Sequence, residues 1–326
     1  MNTWLRWLAL AAFLVSGNAA LAADLPSTHH VHALKVTVLV TNLAGDGHEG
    51  DGEWGFSALV EIDGRKILYD TGASPDMALR NAKALKIDLS DVEEVVLSHN
   101  HWDHVGGLIT LRRELSKINP RALSRVHVGA RIFEPRWDAS GEDRNGLKQI
   151  RADYVATGGT FVVHDKPVEL LPGVWLTGPV PRPNEEKNWV PGLTLDSKQG
   201  RIEDNVPEDS ALLFDTDTGM VILTGCAHAG IVNITEYART IVGKKPIVAV
   251  LGGLHLFSAS DQELIWTGGK LKSYGVQSLL GAHCTGIEAV FRMRESLGLT
   301  RKTAIVSATG SSFTLNQGFD PRRLAR

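Results

Sequence analysis

The sequence has few cysteines, few aromatic residues and almost no net charge. Only 2 of its 326 residues are cysteine, which excludes a small domain held together by several disulfides. Its 34 basic and 37 acidic residues leave a net charge of −3, so electrostatics favour neither nucleic acid nor an anionic membrane as partner. Hydrophobic residues make up 43% and charged residues 22%, which is typical of a globular protein with a substantial core.

Apolar runs long enough to cross a bilayer are also missing. The apolar run from Trp7 to Val15 follows Arg6 and precedes Ala20-Leu21-Ala22, a small-x-small cleavage pattern. The run is well short of the ~20 residues that a spanning helix needs, which disfavours a retained anchor. We therefore expect a signal peptide over residues 1–22, no later membrane span, and a periplasmic or secreted protein with one domain over residues 23–326.

Short β-rich runs meander early in the chain and alternate with helical patterns later. The predicted strands are Lys35–Leu43, Phe56–Asp63, Lys66–Asp70, Val95–Ser98, Arg125–Val128, Thr160–His164, Val168–Thr177, Ala211–Asp215, Met220–Thr224, Ile247–Leu251 and Val276–Leu280. The predicted helices are Pro75–Leu85, Val105–Ile118, Ile231–Val242, Asp261–Tyr274 and Ile287–Leu297. This mixture predicts an α/β layered domain. The segment Pro179–Asn205 is predicted to be one long loop that contributes to selectivity.

Four side chains of the types that bind metals follow the apolar strand Val95-Val96-Leu97. They are His99, His101, Asp103 and His104. His99 and His101 point to one side because side chains alternate in an extended segment, and Asp103 and His104 then open a helix. The alternative is a polar turn in which Asp103 caps the helix. Neutral imidazoles and a carboxylate suit zinc, iron or manganese, so the pattern favours a metal site with open positions.

The pattern His99-x-His101-x-Asp103-His104 resembles the signature of the metallo-β-lactamase superfamily. Residues 67–72 resemble the superfamily's earlier strand end, which carries an aspartate. Further segments resemble its dihydropterin-phosphate synthase-like group: residues 54–57, 176–182, 223–233, 252–256 and 283–286. The resemblance implies an αββα sandwich of two mixed sheets with helices on the outer faces. It also implies one or two divalent metal ions at the sheet edge, with zinc favoured over iron or manganese. Asp70 would hydrogen-bond within the site without binding metal.

The resemblance also implies which residues complete the site, and here the chain departs from the usual pattern. Cys226 stands where the bridging aspartate would be, and residues 205–209 contain no third histidine. His228 is the expected substitute, while Cys226 either contacts a metal as thiolate or is a small buried residue. His283 is the expected last ligand. His255 either donates a proton, contacts substrate or orients a ligand.

The leading functional hypothesis is an exported hydrolase of a small ester, lactone, amide or phosphoester. A metal-bound hydroxide would attack, with Asp103 orienting it or carrying its proton. The alternatives are an iron-dependent redox or group-transfer enzyme, and a periplasmic binding protein without catalysis. If Cys226 and Cys284 both face the metals, oxidation could join them in a disulfide.

Overall fold

A computed structural model describes residues 29–189 and 191–323. Its strands are β1 (Leu34–Val40), β2 (Ser57–Ile62), β3 (Arg65–Tyr69), β4 (Glu94–Leu97), β5 (Arg125–Gly129), β6 (Thr160–His164), β7 (Val168–Leu171), β8 (Val174–Leu176), β9 (Thr194–Ser197), β10 (Gly200–Glu203), β11 (Leu212–Thr216), β12 (Gly219–Thr224), β13 (Ile247–Gly253), β14 (Leu279–Ala282), β15 (Ala304–Val306), β16 (Ser312–Thr314) and β17 (Gly318–Asp320). Its helices are α1 (Met77–Ala84), α2 (Trp102–Val105), α3 (Leu108–Leu115), α4 (Leu147–Val155), α5 (Ile231–Ile241), α6 (Asp261–Ser273) and α7 (Ile287–Leu297).

The strands form two large mixed sheets. The first sheet has the order β17-β16-β1-β2-β3-β4-β5-β6, and the second has the order β15-β14-β13-β12-β11-β8-β7. In the first sheet β3 to β6 run parallel, and in the second sheet β12 to β15 run parallel. The remaining neighbours in both sheets are antiparallel.

Alternation along the strands separates three hydrophobic layers. In β4, Val96 packs between the two sheets, while Val95 and Leu97 pack against the helices outside the first sheet. This follows from the two-residue period of a strand whose faces are both covered. A third layer joins the second sheet to the helices α5, α6 and α7. The predicted αββα sandwich of two mixed sheets is therefore confirmed.

The helix predicted over Val105–Ile118 is the shorter α3, and two glycines separate it from the preceding helix α2. A Cβ atom on Gly106 would lie 1.9 Å from the carbonyl oxygen of Ala73, and one on Gly107 would lie 2.3 Å from that of Thr71. The absent side chains let this turn press against the loop after β3. The glycines thus bring the turn that carries Asp103 and His104 against the loop that begins at Asp70.

Other segments differ from the sequence-based expectations. Residues 179–205 are more than a loop, because they contain the hairpin of β9 and β10. The strand predicted over Val168–Thr177 is two strands, β7 and β8, which turn at Gly173 with φ of 74°. Val276 makes only an isolated bridge to Ile247, and β14 begins later, at Leu279. Helix α4 and strands β15 to β17 were not predicted.

The predicted signal peptide over residues 1–22 lies outside the described residues. Among residues 29–189 and 191–323, no helix has both the length and the apolar character that crossing a membrane requires.

Candidate metal centre

The carboxyl ends of parallel strands from both sheets meet at one edge of the sandwich. Asp70 follows β3, and the segment from His99 to His104 follows β4. In the second sheet, Cys226 and His228 follow β12, His255 follows β13, and His283 and Cys284 follow β14. Glycine lets the two sets of loops meet closely, since a Cβ atom on Gly225 would lie 2.1 Å from the Ser98 hydroxyl. The fold therefore gathers all the candidate residues in one place.

His99, His101 and His228 form the first group of ligand atoms. One nitrogen from each lies within 4.8 Å of the others, and their ring centroids are 4.5 to 4.8 Å apart. The Nε2 atoms of His99 and His228 are buried without a hydrogen-bond partner. A buried unpaired nitrogen is costly, and a metal ion would satisfy it. The structure thus brings His228 to the position that the missing third histidine would fill.

Asp103, His104 and His283 form the second group. Oδ2 of Asp103 lies 3.2 Å from Nε2 of His283 and 3.9 Å from Nε2 of His104. The Nε2 atom of His283 is buried, and the Asp103 carboxylate is its polar neighbour. The carboxylate and two imidazoles offer one oxygen and two nitrogens to a second divalent ion.

Cys226 lies between the two groups. Its Sγ atom lies within 4.8 Å of ligand atoms of three pairs of residues: His99 and His104, His228 and His255, and His283 and Cys284. It is 3.1 Å from Nε2 of His104. The Cys226 sulfur is therefore close to ligand atoms of both groups. Both cysteines are free thiols in the structure.

Asp70 and Ser98 contact the Nδ1 atoms of His104 and His99, respectively. Oδ2 of Asp70 accepts hydrogen bonds from Nδ1 of His104 at 2.7 Å and from the Ser98 hydroxyl at 2.7 Å. The Ser98 oxygen lies 2.9 Å from Nδ1 of His99. Each contact occupies Nδ1, so Nε2 of both rings is directed toward the centre. Asp70 is therefore hydrogen-bonded to two residues of the site.

Backbone strain is concentrated at the same edge. Asp70, Ala227, His255 and His283 have φ angles of 54°, 55°, 50° and 45°, in the left-handed region that side chains disfavour. Each such residue costs on the order of 1–3 kcal/mol, which the surrounding structure must offset. Strain gathered at four converging loops is typical of a functional site.

The charges in the site match the needs of metal ligands. Burial lowers the pKa of His101 to about 4 and lowers those of His99 and His228 well below the ordinary value, so these rings are neutral. Burial alone would raise the pKa of Asp103, but the adjacent His104 and His283 hold it well below its usual range. Neutral imidazoles and an ionised carboxylate are the protonation states that bind metal. The residues present therefore fit a divalent metal centre.

His104 differs from the other rings. Burial lowers its pKa, but the charges of Asp103 and Asp70 outweigh that effect and raise it to about 9. A metal must displace the Nε2 proton, so binding there releases a proton below that pH.

Two cavities adjoin the centre. One of about 320 Å³ lies beside His101, with walls that include Trp102, Val105, Ile150 and Leu193. Asn100 also lines it, and its Oδ1 atom is buried without a hydrogen-bond partner. The cavity is thus mostly apolar, with an acceptor near the candidate ligands.

The second cavity, of about 170 Å³, lies beside His255 and has a more polar lining. Here Nδ1 of His255 has no hydrogen-bond partner. Nearby, the half-exposed rings of Trp54 and Phe257 pack edge to face at 5.8 Å, and Trp54 also packs on His283 at 4.8 Å. His255 is therefore placed to contact a molecule bound at the centre.

Residues 205–209, where the superfamily pattern has its third histidine, hold the turn that carries His228. Asp209 accepts a hydrogen bond of 2.8 Å from the backbone N–H of Ala229, and burial raises its pKa to about 7. Arg182 donates to the carbonyl oxygens of His228 and Val206, both at 2.9 Å. These contacts fix the turn that carries His228.

Sequence reasoning did not identify every residue at the centre. The Asn188 carbonyl oxygen contacts Nδ1 of His228, and Ser98 links Asp70 to His99. A carbonyl in a loop leaves no signal in the sequence, whereas Ser98 stood directly beside the histidine motif. His127 and His164 belong to none of the ligand groups and are stacked on each other with centroids 5.2 Å apart.

Comparison with known proteins identifies the family. The family model for the metallo-beta-lactamase superfamily matches residues 52–242. The chain belongs to the metallo-beta-lactamase superfamily. A synthase of 7,8-dihydropterin-6-methyl-4-(beta-D-ribofuranosyl)-aminobenzene-5'-phosphate from Methanocaldococcus jannaschii is 32% identical over 268 residues, covering 79% of this chain and 90% of the synthase. The resemblance to this group within the superfamily is thus confirmed.

Solved structures of superfamily members share the fold. Tm1679, described as a metal-dependent hydrolase of the beta-lactamase superfamily, has a TM-score of 0.66 and 27% identity, covering 86% of this chain and 98% of Tm1679. Zn²⁺-bound PqqB from Methylobacterium extorquens has a TM-score of 0.51 at 15% identity, covering 85% of this chain and 99% of PqqB. At that identity the likeness to PqqB concerns the fold alone.

Proposed function

We propose that this protein is a metal-dependent hydrolase of a small ester, lactone, amide or phosphoester. The observation that carries the proposal is the pair of ligand groups around Cys226, with buried Nε2 atoms of His99 and His228 that make no hydrogen bond. Three protein ligands per metal leave coordination positions open. A metal bound there supplies an activated water and polarises the bond to be cleaved.

The protein's own residues prepare the reaction. The Asp103 carboxylate is ionised at neutral pH and lies 3.2 Å from Nε2 of His283, so it can accept a hydrogen bond from the attacking water. His255, with its free Nδ1 atom, can donate a proton to the leaving group. The apolar cavity beside His101 would receive the body of the substrate.

The test uses metal-replete protein and four substrate classes: an aryl ester, a lactone, a phosphodiester and a β-lactam. We expect at least one class to be hydrolysed, and Asp103→Asn to lower kcat by on the order of 10²–10⁴. Asp91→Asn is the matched control, because Asp91 is an exposed aspartate that pairs with Lys66 far from the centre. Full activity of Asp103→Asn, or no turnover of any class, would contradict the proposal.

Group transfer is a second candidate, because the chain is 32% identical to a synthase over most of its length. The same centre could activate an amine in place of water. Incubating each hydrolysed substrate with an added aryl amine separates the two functions. A transfer product that forms at the expense of the hydrolysis product would favour the synthase, whereas hydrolysis unaffected by amine favours the hydrolase.

We also propose that the protein is exported and works on a small molecule in the periplasm or outside the cell. The pattern of Arg6, the apolar run Trp7–Val15 and the Ala20-Leu21-Ala22 cleavage site supports this.

A further inference from the structure

The two cysteines of the chain lie side by side at the centre. Their Sγ atoms are 3.2 Å apart, and both side chains are almost completely buried. This separation is far longer than the ~2.05 Å of a disulfide bond. It is closer to the roughly 3.8 Å between two thiolates on one tetrahedral zinc with Zn–S bonds of about 2.3 Å.

The surroundings of Cys284 are polar and suit a thiolate. The backbone N–H of His255 donates a hydrogen bond of 3.3 Å to its Sγ atom. Sγ of Cys284, Sγ of Cys226 and a ring nitrogen of His283 lie within 4.8 Å of one another. These three atoms offer two sulfurs and one nitrogen to a single point.

Glycine on the neighbouring strand makes room for this arrangement. A Cβ atom on Gly253 would lie 2.9 Å from Sγ of Cys284 and 2.1 Å from the carbonyl oxygen of Gly225. Any larger residue would therefore push Cys284 and the loop after β12 apart. Because Gly253 has no side chain, the loops that carry Cys226 and Cys284 come close enough to bring the two thiols within 3.2 Å of each other.

We propose that Cys284 is a metal ligand and binds one divalent ion together with Cys226 and His283. The inference rests on the proposed function, because it makes the two cysteines, in place of Asp103 and His104, the partners of His283 at the second metal position of the same centre. Asp103 then stays available to the attacking water. Two thiolates make that position soft, so it prefers zinc, cadmium or cobalt to magnesium or manganese. Cys226 and Cys284 then act as a pair, in contrast to a structural thiol buried in apolar surroundings.

The experiment loads the full metal-free chain with Co²⁺ and measures the thiolate-to-cobalt charge-transfer band. We expect this band to fall to about half in Cys284→Ser and in Cys226→Ser, and to vanish in the double variant. Thr285→Ser is the matched control, since it changes the next residue but keeps the hydroxyl that accepts a hydrogen bond from Leu254. Its band should equal that of the wild type.

A second measurement uses the unmodified chain and does not depend on the folding of a variant. Bound Zn²⁺ should slow the alkylation of both buried thiols relative to the metal-free chain, as mass spectrometry will show, and Mg²⁺ should leave the rate unchanged. A charge-transfer band of unchanged intensity in Cys284→Ser would overturn the proposal. So would a disulfide between the two cysteines in metal-loaded protein, or alkylation of Cys284 alone in the presence of Zn²⁺.

Failure of this inference is distinguishable from failure of the proposed function. If Cys284→Ser keeps its band and its hydrolytic activity, Cys284 is not a ligand but the hydrolase stands. If wild-type protein binds Co²⁺ with both thiolates but hydrolyses nothing, the ligand assignment stands and the hydrolase does not.

Discussion

Nδ1 of His104 donates a hydrogen bond of 2.7 Å to Oδ2 of Asp70, and both side chains are fully buried. This contact fixes the ring so that Nε2 lies 3.1 Å from Sγ of Cys226. A carboxylate in this position also makes the imidazole a stronger donor to a metal.

Asp70→Asn tests that relationship without changing the size of the side chain. We expect metal affinity to fall about 10- to 100-fold, because the amide orients His104 less well and carries no charge. Competition with a chromophoric chelator measures the change, with Asp91→Asn as control. Unchanged affinity would show that packing alone orients the ring.

His228→Ala should remove about one equivalent of bound metal. His228 lies with His99 and His101, and two imidazoles hold an ion less well than three. Metal content after gel filtration, measured by mass spectrometry, gives the result. His48→Ala is the control, because His48 is exposed in a loop. Full metal content in His228→Ala would rule it out as the third histidine.

Asp209→Asn should change how stability depends on pH. Burial raises the pKa of Asp209 from 3.8 to about 7, so the folded state holds a proton that the unfolded state has lost between these values. The contribution of Asp209 to the free energy of unfolding is greatest below about pH 4, where the carboxyl is protonated in both states. It decreases as pH rises to about 7.

The variant lacks this titration. Relative to the wild type, we expect it to gain stability as pH rises from about 4 to about 7, by up to a few kcal/mol at ~1.4 kcal/mol per pKa unit. Urea unfolding of the metal-free proteins at several pH values measures the difference. A difference that stays constant with pH would contradict the buried, protonated state of Asp209.

Leu193→Trp should narrow the apolar cavity beside His101. Leu193 lines this cavity and is only partly buried, so a larger ring can be accommodated without disturbing the core. We expect a higher KM for bulky substrates with little change in metal content, and the opposite shift in KM for Leu193→Ala. Equal KM values in all three proteins would place the substrate elsewhere, for example near His255.

Expression of the full chain should yield a mature protein that begins at Ala23. The apolar run Trp7–Val15 and the Ala20-Leu21-Ala22 pattern predict this cleavage. Intact-mass measurement of periplasmic and cytoplasmic fractions checks it, with Ala22→Lys as the variant that should block cleavage. A full-length protein confined to the cytoplasm would contradict export.

The histidine motif and the fold could be predicted from the sequence because both rest on local patterns. His99, His101, Asp103 and His104 lie within six residues, and the buried strand before them sets their direction. Alternating apolar residues likewise marked most strands of the two sheets. Short or partly exposed elements such as β9, β10 and α4 left weaker patterns and were missed.

The sequence by itself determined the ligand types, the motif and the layered fold. Only the tertiary structure decided that His228 lies beside His99 and His101, and that the Sγ atoms of Cys284 and Cys226 are 3.2 Å apart. These residues come from the ends of strands that are far apart in the chain, and the distance between them depends on how closely the loops approach. That approach is set by contacts such as those at Gly225 and Gly253, which no local pattern reveals.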